Sequence, residues 1–483
     1  MKKYVIALDE GTTSARAILF DHDLNVISSS QQNFTQIYPR PGWVEQDPLE
    51  LYAAQYAALC ECIAKSGISP DEIAAIGIAN QRETTVVWEK STGRPVYNAI
   101  VWQCRRTKDM CKDLDGEYIT AVTGLRPDAY FSATKIKWIL DNVPDAKNKD
   151  LMFGTVDTWL LYKLCGVHAT DETNASRTML YDISSGCWDK KLLQTFGISE
   201  KMLPQVKKSG SFFGTAEIMG AEIPVCGIAG DQQAALFGQC CFSSGSAKAT
   251  YGTGCFLLMN TGENRIPSKN GLVTSLGATL ENEQTQFVLE GSVFICGAVL
   301  QWLRDGLRFF SDSADSEYFA GKVENSGGVY IVPAFSGLGA PYWDSDARGA
   351  VFGLTRGTTR DHLTRAALES IAFQAQDVLA AMRTDTKLPL SDLKVDGGAA
   401  ANGLLMQFQA DISNTCVILA ESNEATARGA AMLAGLTCGF FPSREYIIER
   451  TKVKKVFEPD LSDEVRKERL SQWQRAVSAC REF

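Results

Sequence analysis

Apolar residues in this chain gather into short runs. Val5–Leu8, Ala17–Phe20, Ile73–Ala79 and Thr85–Trp88 have the length and composition of buried strands, and helically periodic segments lie between them. That alternation predicts an α/β architecture. One helix is marked at both ends. Asp47 is the expected N-cap, Pro48 fits the first helical position and Glu50 the acid of a capping box; Tyr52, Tyr56, Leu59 and Ile63 recur at helical spacing until Gly67 stops the helix.

The first two runs are joined by "DEGTTSAR", residues 9–16, which places two acids, a glycine and three hydroxyl residues where a hairpin needs only two to five residues, commonly Asn-Gly or Asp-Gly. The device recurs in altered form as "KATYGTGCFLLMNTG", Lys248–Gly262. A polar Gly/Thr turn near the start of each half predicts an internal duplication, with one domain over residues 1–246 and another over 247–483. The second half then reads "LKVDGGAAANGLLMQFQADI": strand, Gly-Gly turn, helix.

Length agrees with that division, since 483 residues exceed what one core supports. Hydrophobic residues at 45% and charged residues at 22% are ordinary for a globular chain. A net charge of -9 argues against a nucleic-acid or anionic-membrane surface, which requires clustered Lys and Arg. The N-terminal apolar run ends at Asp9, too short for a signal sequence, and no run approaches the ~20 residues that span a bilayer. A soluble, cytoplasmic protein without membrane insertion is expected. The 14 cysteines include no Cys-x-x-Cys and are accompanied by only 3 histidines, so reduced thiols are expected and a structural zinc site is not.

The opening turn has the makings of a phosphate site. Glycine lets backbone amides approach an anion, Thr12, Thr13 and Ser14 offer hydroxyl donors, and Arg16 adds charge. Asp9 would repel a bare polyphosphate, so this reading requires a hard cation such as Mg²⁺ between them. Taken alone, Gly-Thr-Thr is more often just a turn. "TYGTG" would bring Thr253 and Gly254 to the same polyanion from the other domain. No Walker-type sequence is present. Gly397-Gly398 and Asn402 suit a nucleoside lying close to backbone, or else make only a tight connection. In "IAAIGIANQRETTVVWE", Arg82 and Glu83 follow a strand, where ligands of open α/β sheets gather, and suit a polyol; a salt-bridged surface turn is the alternative. In "CGIAGDQQAALFGQ", Asp231 and Gln232 open a helix after Gly230. Asp231 is either a cap, stabilising by about 1 kcal/mol, or a general base projecting into a cleft.

Beyond these pieces, the chain resembles the FGGY carbohydrate kinases, in particular their glycerol-phosphorylating members. The likeness runs through "RPGWVEQDP", "NQRETT", "AIVWQCRRT", "FGTVDTWL", "TNASRTML", "AGDQQAALFGQ", "TYGTGCF" and "PAFSGLGAPYWD", with broader signatures in "YFSATKIKWILDN" and "GAVFGLTRGTTRDHLTRAALE". The resemblance implies a two-domain, actin-like (ribonuclease H-like) ATPase fold closing an interdomain cleft over MgATP and glycerol. By the same resemblance Arg82, Glu83, Tyr130, Asp231 and Gln232 bond glycerol, Trp102 and Phe256 wall its carbons, and Asp231 is the general base. Thr12, Thr13, Ser14, Arg16, Thr253, Gly297, Gln301, Gly398 and Asn402 hold the nucleotide. Asp9, through water, and Asp231 hold Mg²⁺. A homo-oligomer, dimer or tetramer, is also implied.

Two departures stand out. Glu10 occupies a place where many relatives carry Gln. The stretch Gly214–Pro224 has no Arg or Lys to receive fructose 1,6-bisphosphate, and Ser209–Gly227 has no His to be phosphorylated, so neither control known for relatives is expected. Rival readings are an actin-like or chaperone ATPase without an acceptor, and a kinase for another polyol or ketose.

Overall fold

The structure, a computed structural model, describes residues 2–483. In the first half β1 (Tyr4–Glu10), β2 (Ser14–Phe20), β3 (Val26–Asn33), β4 (Ile73–Asn80), β5 (Gly214–Ile218) and β6 (Ala221–Gly230) form a 6-stranded sheet ordered β5-β6-β4-β1-β2-β3. In the second half β7 (Ala247–Tyr251), β8 (Cys255–Gly262), β9 (Val273–Leu276), β10 (Phe287–Val293), β11 (Asp392–Asp396), β12 (Cys416–Ala420) and β13 (Val453–Phe457) form a 7-stranded sheet ordered β9-β10-β8-β7-β11-β12-β13.

The two sheets share a common strand topology. β1 is antiparallel to β2 and parallel to β4, which is parallel to β6; β7 is antiparallel to β8 and parallel to β11, which is parallel to β12. The orders β3-β2-β1-β4-β6 and β10-β8-β7-β11-β12 therefore repeat, outer strands β3 and β10 being antiparallel to their neighbours in both. This is the two-domain actin-like arrangement. The run at Thr85–Trp88 behaves differently: Val86–Glu89 pairs with Leu151–Gly154 in a separate 2-stranded sheet.

Alternation along β1 divides the layers. Ile6 and Leu8 pack with Leu51, Leu59 and Ile63 of α1 (Pro48–Ser66), whereas Val5 and Ala7 face the opposite layer. Asp47 caps α1 by accepting from Leu49 N at 2.8 Å, and Gly67 ends it in the left-handed conformation, φ 69°. The expected capping box does not form. Glu50 accepts instead from the backbone N and hydroxyl of Thr35, at 3.0 and 2.9 Å, because the chain leaving β3 crosses the start of the helix. Tyr52 and Tyr56 lie at the rim, and the helix's core face is Leu51, Ala54, Ala58, Leu59, Cys62 and Ile63.

Two further helices join the halves. α2 (Asp231–Gly238) follows β6, and α3 (Ala425–Thr437), although late in the chain, packs on the first sheet. Glycine makes this possible. A Cβ at Gly77 of β4 would lie 2.1 Å from Ala430 O, one at Gly429 would lie 1.8 Å from Ala234 O, and one at Gly238 would lie 2.0 Å from Ala425 O. The backbones of α2 and α3 touch, and any side chain at these positions would separate them. All fourteen cysteines are free thiols, and no helix among the described residues is long and apolar enough to cross a membrane.

Candidate active site

The first turn is braced by side chains. Asp9 and Arg16 are cross-strand partners, and Arg16 donates one arm to Asp9 and the other to Glu424 Oε2 at 2.7 Å. The Thr12 carbonyl accepts from the side-chain amides of Gln36 and Gln46 at 3.0 and 2.7 Å, and its hydroxyl accepts from Trp102 Nε1 at 3.0 Å. Thr13, at the tip, is exposed, and Gly11 N closes the turn on Ser14 O at 3.0 Å. Burial pushes the Asp9 carboxyl up, Arg16 opposes this, and the charge of Asp231 pushes it further up. Two acids thus face one cleft, and the charge of Asp231 disfavours ionisation of Asp9. That donor set fits a hard cation. Among the described residues no group of three or more His, Cys, Asp or Glu could cage a metal, so an ion here would keep water and phosphate oxygens in its shell.

Glu10 turns the other way. It follows Ile6 and Leu8 on the α1 side of the strand, is fully buried, and neither of its carboxylate oxygens has a hydrogen-bond partner. Burial, with Asp9 adding to it, pushes its carboxyl well up, which favours the neutral acid and removes the repulsion that an ionised Glu10 would bring to a phosphate site.

Beyond β4 the chain enters a buried ionic cluster. Arg82 makes a fork with Glu290, Nη1 to Oε2 at 2.6 Å and Nη2 to Oε1 at 3.0 Å, while its Nε lies 3.1 Å from Asp231 Oδ1. Glu83 sits at φ 62°, a conformation that costs a non-glycine residue about 1 kcal/mol or more. Its carbonyl is held by Ser132 Oγ at 3.1 Å and Lys135 Nζ at 3.2 Å, and its Oε1 by Arg177 Nε at 2.6 Å. Burial raises the Glu83 carboxyl against the pull of Arg177 and Arg82. It also brings the Lys135 ammonium down to about 7, against the charge of Glu83. Tyr130 completes this wall, edge-on to Trp102 with centroids 5.6 Å apart and beneath the Arg177 guanidinium at 5.5 Å.

Asp231 is the first residue of α2, its side chain 32% exposed to the cleft. Its Oδ1 accepts from Gln232 N at 2.7 Å and its Oδ2 from Gln232 Nε2 at 3.2 Å, while Gln232 Oε1 accepts from Lys248 of β7. Asp231 therefore engages the helix start and also bridges to Arg82. Phe256 of β8 faces the cleft side of its sheet: Leu257 and Met259 enter the second domain's core, whereas Leu258, like Phe256 an even position, packs on Leu236 of α2.

The remaining positions lie around the second turn. Thr253 is exposed at its tip, and its carbonyl accepts from Cys296 N at 2.9 Å and Ala298 N at 3.2 Å, docking the helix Gly297–Asp305 on the turn. Gly297 belongs there for space, since a Cβ would meet Gly252 O at 2.7 Å. Gln301 is exposed on the same helix. Gly398 opens on space with nothing within 4 Å of a Cβ, whereas its neighbour Gly397 has φ +91° and a Cβ there would meet Tyr251 O at 2.6 Å. Asn402 is buried, and its Oδ1 caps the helix Gly403–Ser413 through Leu405 N at 3.0 Å.

Glu290, Arg177, Lys248, Lys135 and Glu424 escape a reading of the sequence, yet they hold the residues it selects. A signal did exist for Glu290, a lone acid inside "FVLEGSV", an otherwise apolar strand.

Two repeated sheets, each with a Gly/Thr turn, a buried ionic cluster that draws on both, and open space at Gly398 are the arrangement expected of a two-domain sugar kinase. Models of the FGGY family of carbohydrate kinases match the chain, the N-terminal domain over residues 4–238 and the C-terminal domain over 247–438. The chain belongs to that family. It is 58% identical to the glycerol kinase of Clostridium botulinum (strain Alaska E43 / Type E3), covering 99% of each chain, and 56% identical to the glycerol kinase of Carboxydothermus hydrogenoformans, covering 100% of this chain and 99% of that one. The crystal structure of Plasmodium falciparum glycerol kinase with ADP superposes with a TM-score of 0.94 at 37% identity, over 99% of this chain and 98% of that one. A xylulose kinase from Rhodospirillum rubrum, at 22% identity and a TM-score of 0.89 over 100% of this chain and 99% of that one, shares the fold.

Proposed function

We propose that this protein transfers the γ-phosphoryl group of ATP to glycerol, giving sn-glycerol 3-phosphate and ADP. The observation that carries the reading is the full-length likeness to glycerol kinases together with the cluster Arg82, Glu83, Tyr130 and Asp231 in one cleft. Glu83, held through Oε1 and its carbonyl, keeps a fixed acceptor for one glycerol hydroxyl, Arg82 a fixed donor for another, and Trp102 and Phe256 cover the carbons. Asp231 accepts the proton of the terminal hydroxyl that attacks phosphorus in line. Thr12, Thr13, Ser14 and Arg16 bind phosphate oxygens from one side and Thr253 from the other; Gly297, Gln301, Gly398 and Asn402 line the nucleoside. Asp9 and Asp231 would hold Mg²⁺ through water and phosphate, where it neutralises phosphate charge.

The division into domains at residue 246, a cytoplasmic dimer or tetramer, and independence from fructose 1,6-bisphosphate and from histidine phosphorylation belong to the same proposal. The segment that would carry those controls, β5 and β6, is an antiparallel pair at the sheet edge that ends at Gly230, just before Asp231. The test is incubation with MgATP and a panel of polyols, ketoses and hexoses, with identification of the phosphorylated products. Glycerol should be preferred and hexoses should fail. ATP hydrolysis without an acceptor, or a kcat/KM for a pentulose or hexose comparable to that for glycerol, would overturn the reading.

A further inference from the structure

We propose that Glu290 is a positioning residue of the polyol pocket, contributed by the second domain, which orients Arg82 directly and Glu83 through Arg177. This deepens the functional reading above and rests on it.

Arg82 and Arg177 belong to the first domain, and Glu290 to β10 of the second domain's sheet. Its carboxylate accepts both arms of Arg82, and its Oε1 also lies 3.3 Å from Arg177 Nη2. Arg177 in turn bonds Glu83 Oε1 at 2.6 Å. All four side chains are buried. A planar guanidinium has one orientation that satisfies a bidentate carboxylate, so this fork fixes where the remaining Nε of Arg82 points, which is toward Asp231. Burial works to raise the Glu290 carboxyl, but Arg177 and Arg82 overcome it and hold it at about 2, which favours the ionised form.

Without Glu290, two buried guanidinium groups would share Glu83 and Asp231, and Arg82, left with only the neutral Gln233 Oε1 at 3.1 Å on its Nη1, could turn onto either acid. The pocket would keep its residues and lose their arrangement. Because Glu290 comes from the opposite sheet, the polyol-binding geometry is complete only when the two domains are in contact. Lys248 of β7, which β8 separates from β10, bonds Gln232 of α2 and repeats the pattern on a smaller scale.

The test compares the parent with Glu290→Gln, which keeps shape and removes charge, and Glu290→Asp, which keeps charge and shortens the reach. Glycerol kinetics are measured with saturating MgATP, MgADP affinity by calorimetry, and Tm for each protein. Glu290→Gln should raise the glycerol KM by about tenfold or more, with MgADP affinity within about twofold of the parent. Glu290→Asp should show a smaller rise in the same direction, and decides the matter alone should Glu290→Gln fail to fold. A glycerol KM within about twofold of the parent in the folded variants, or parallel losses of glycerol and MgADP affinity, would overturn the proposal. Failure of the functional reading looks different: the parent itself would prefer another acceptor, and the same comparison would then be run with that acceptor.

Discussion

In one part of the cleft Arg82, Glu83, Arg177 and Glu290 are buried and bonded to one another; in the other, Thr253, Gln301 and Gly398 are exposed, and Gly297 and Gly398 carry no side chain at all. Under the proposed function the difference follows from what each side would meet. A small triol offers only hydroxyls, so selectivity needs groups already aimed, and an acceptor that cannot match them leaves buried polar atoms unpaired. Phosphates and a flat base can be held by backbone N–H groups and open glycine surface, which need space more than side-chain chemistry. The first side should be sensitive to side-chain chemistry and the second to backbone shape.

The largest expected effect is at Asp231. Gly230 is the N-cap of α2 and Asp231 its first residue; asparagine keeps the shape of aspartate and an oxygen to accept from Gln232 N, so Asp231→Asn should keep its Tm while kcat falls by about 10²- to 10⁴-fold. A folded variant with kcat within about fivefold of the parent would leave Asp231 as a residue of the helix's first turn only. Next is Arg82→Lys, which keeps the charge but cannot fork on Glu290 while reaching Asp231. Its kcat/KM for glycerol should drop by about 10- to 100-fold with little change in the KM for ATP, measured by initial rates.

The nucleotide side gives a paired prediction. Gly398→Ala places a methyl in open space and should leave stability within about 0.5 kcal/mol while raising the KM for ATP several-fold; Gly397→Ala, at φ +91° and against Tyr251 O, should lower stability by more than about 1 kcal/mol. Urea unfolding and ATP titration separate the two. The last prediction concerns Lys135, whose ammonium burial lowers from 10.5 to about 7. Between those values the unfolded chain binds a proton that the folded chain has released, so this group adds stability as pH rises through the window, by at most about 1.4 kcal/mol per pH unit. Below about pH 7 the cost of burying the charge is complete. Lys135→Met should therefore flatten the rise in unfolding midpoint between pH 7 and 10, and an unchanged slope would show that Lys135 does not titrate there.

How much of this the sequence discloses differs along the same line. The turns at 9–16 and 251–255 and the helix between Asp47 and Gly67 are local devices: capping, glycine conformation and apolar runs act within a few residues, so they are visible without the fold. Glu50 shows the limit even there, for a capping box was the local expectation and Thr35 of the neighbouring loop captured the acid. The ionic cluster is legible only in part. Arg82 and Glu83 stand together after a strand, but Arg177 and Glu290 reach them across sequence separations of 94 and 208 residues, and no periodicity links such positions. Nor does the pattern show which way Glu10 points, since that depends on which face of β1 each helix layer covers.

The contact between Gly238 and Ala425 has a mechanical meaning. The chain passes from the first sheet to the second at residues 239–246 and returns at 421–424, and this contact sets the two passages side by side. Adjacent crossings make a hinge with a short lever. Asp231 sits at the far end of α2, about 10 Å from the pivot, so a rotation of about 10° would carry it less than about 2 Å relative to the second sheet, while the outer strands would sweep much farther. The returning passage carries Glu424, which holds Arg16, so a force that opened such a hinge would pull directly on the turn at residues 9–16.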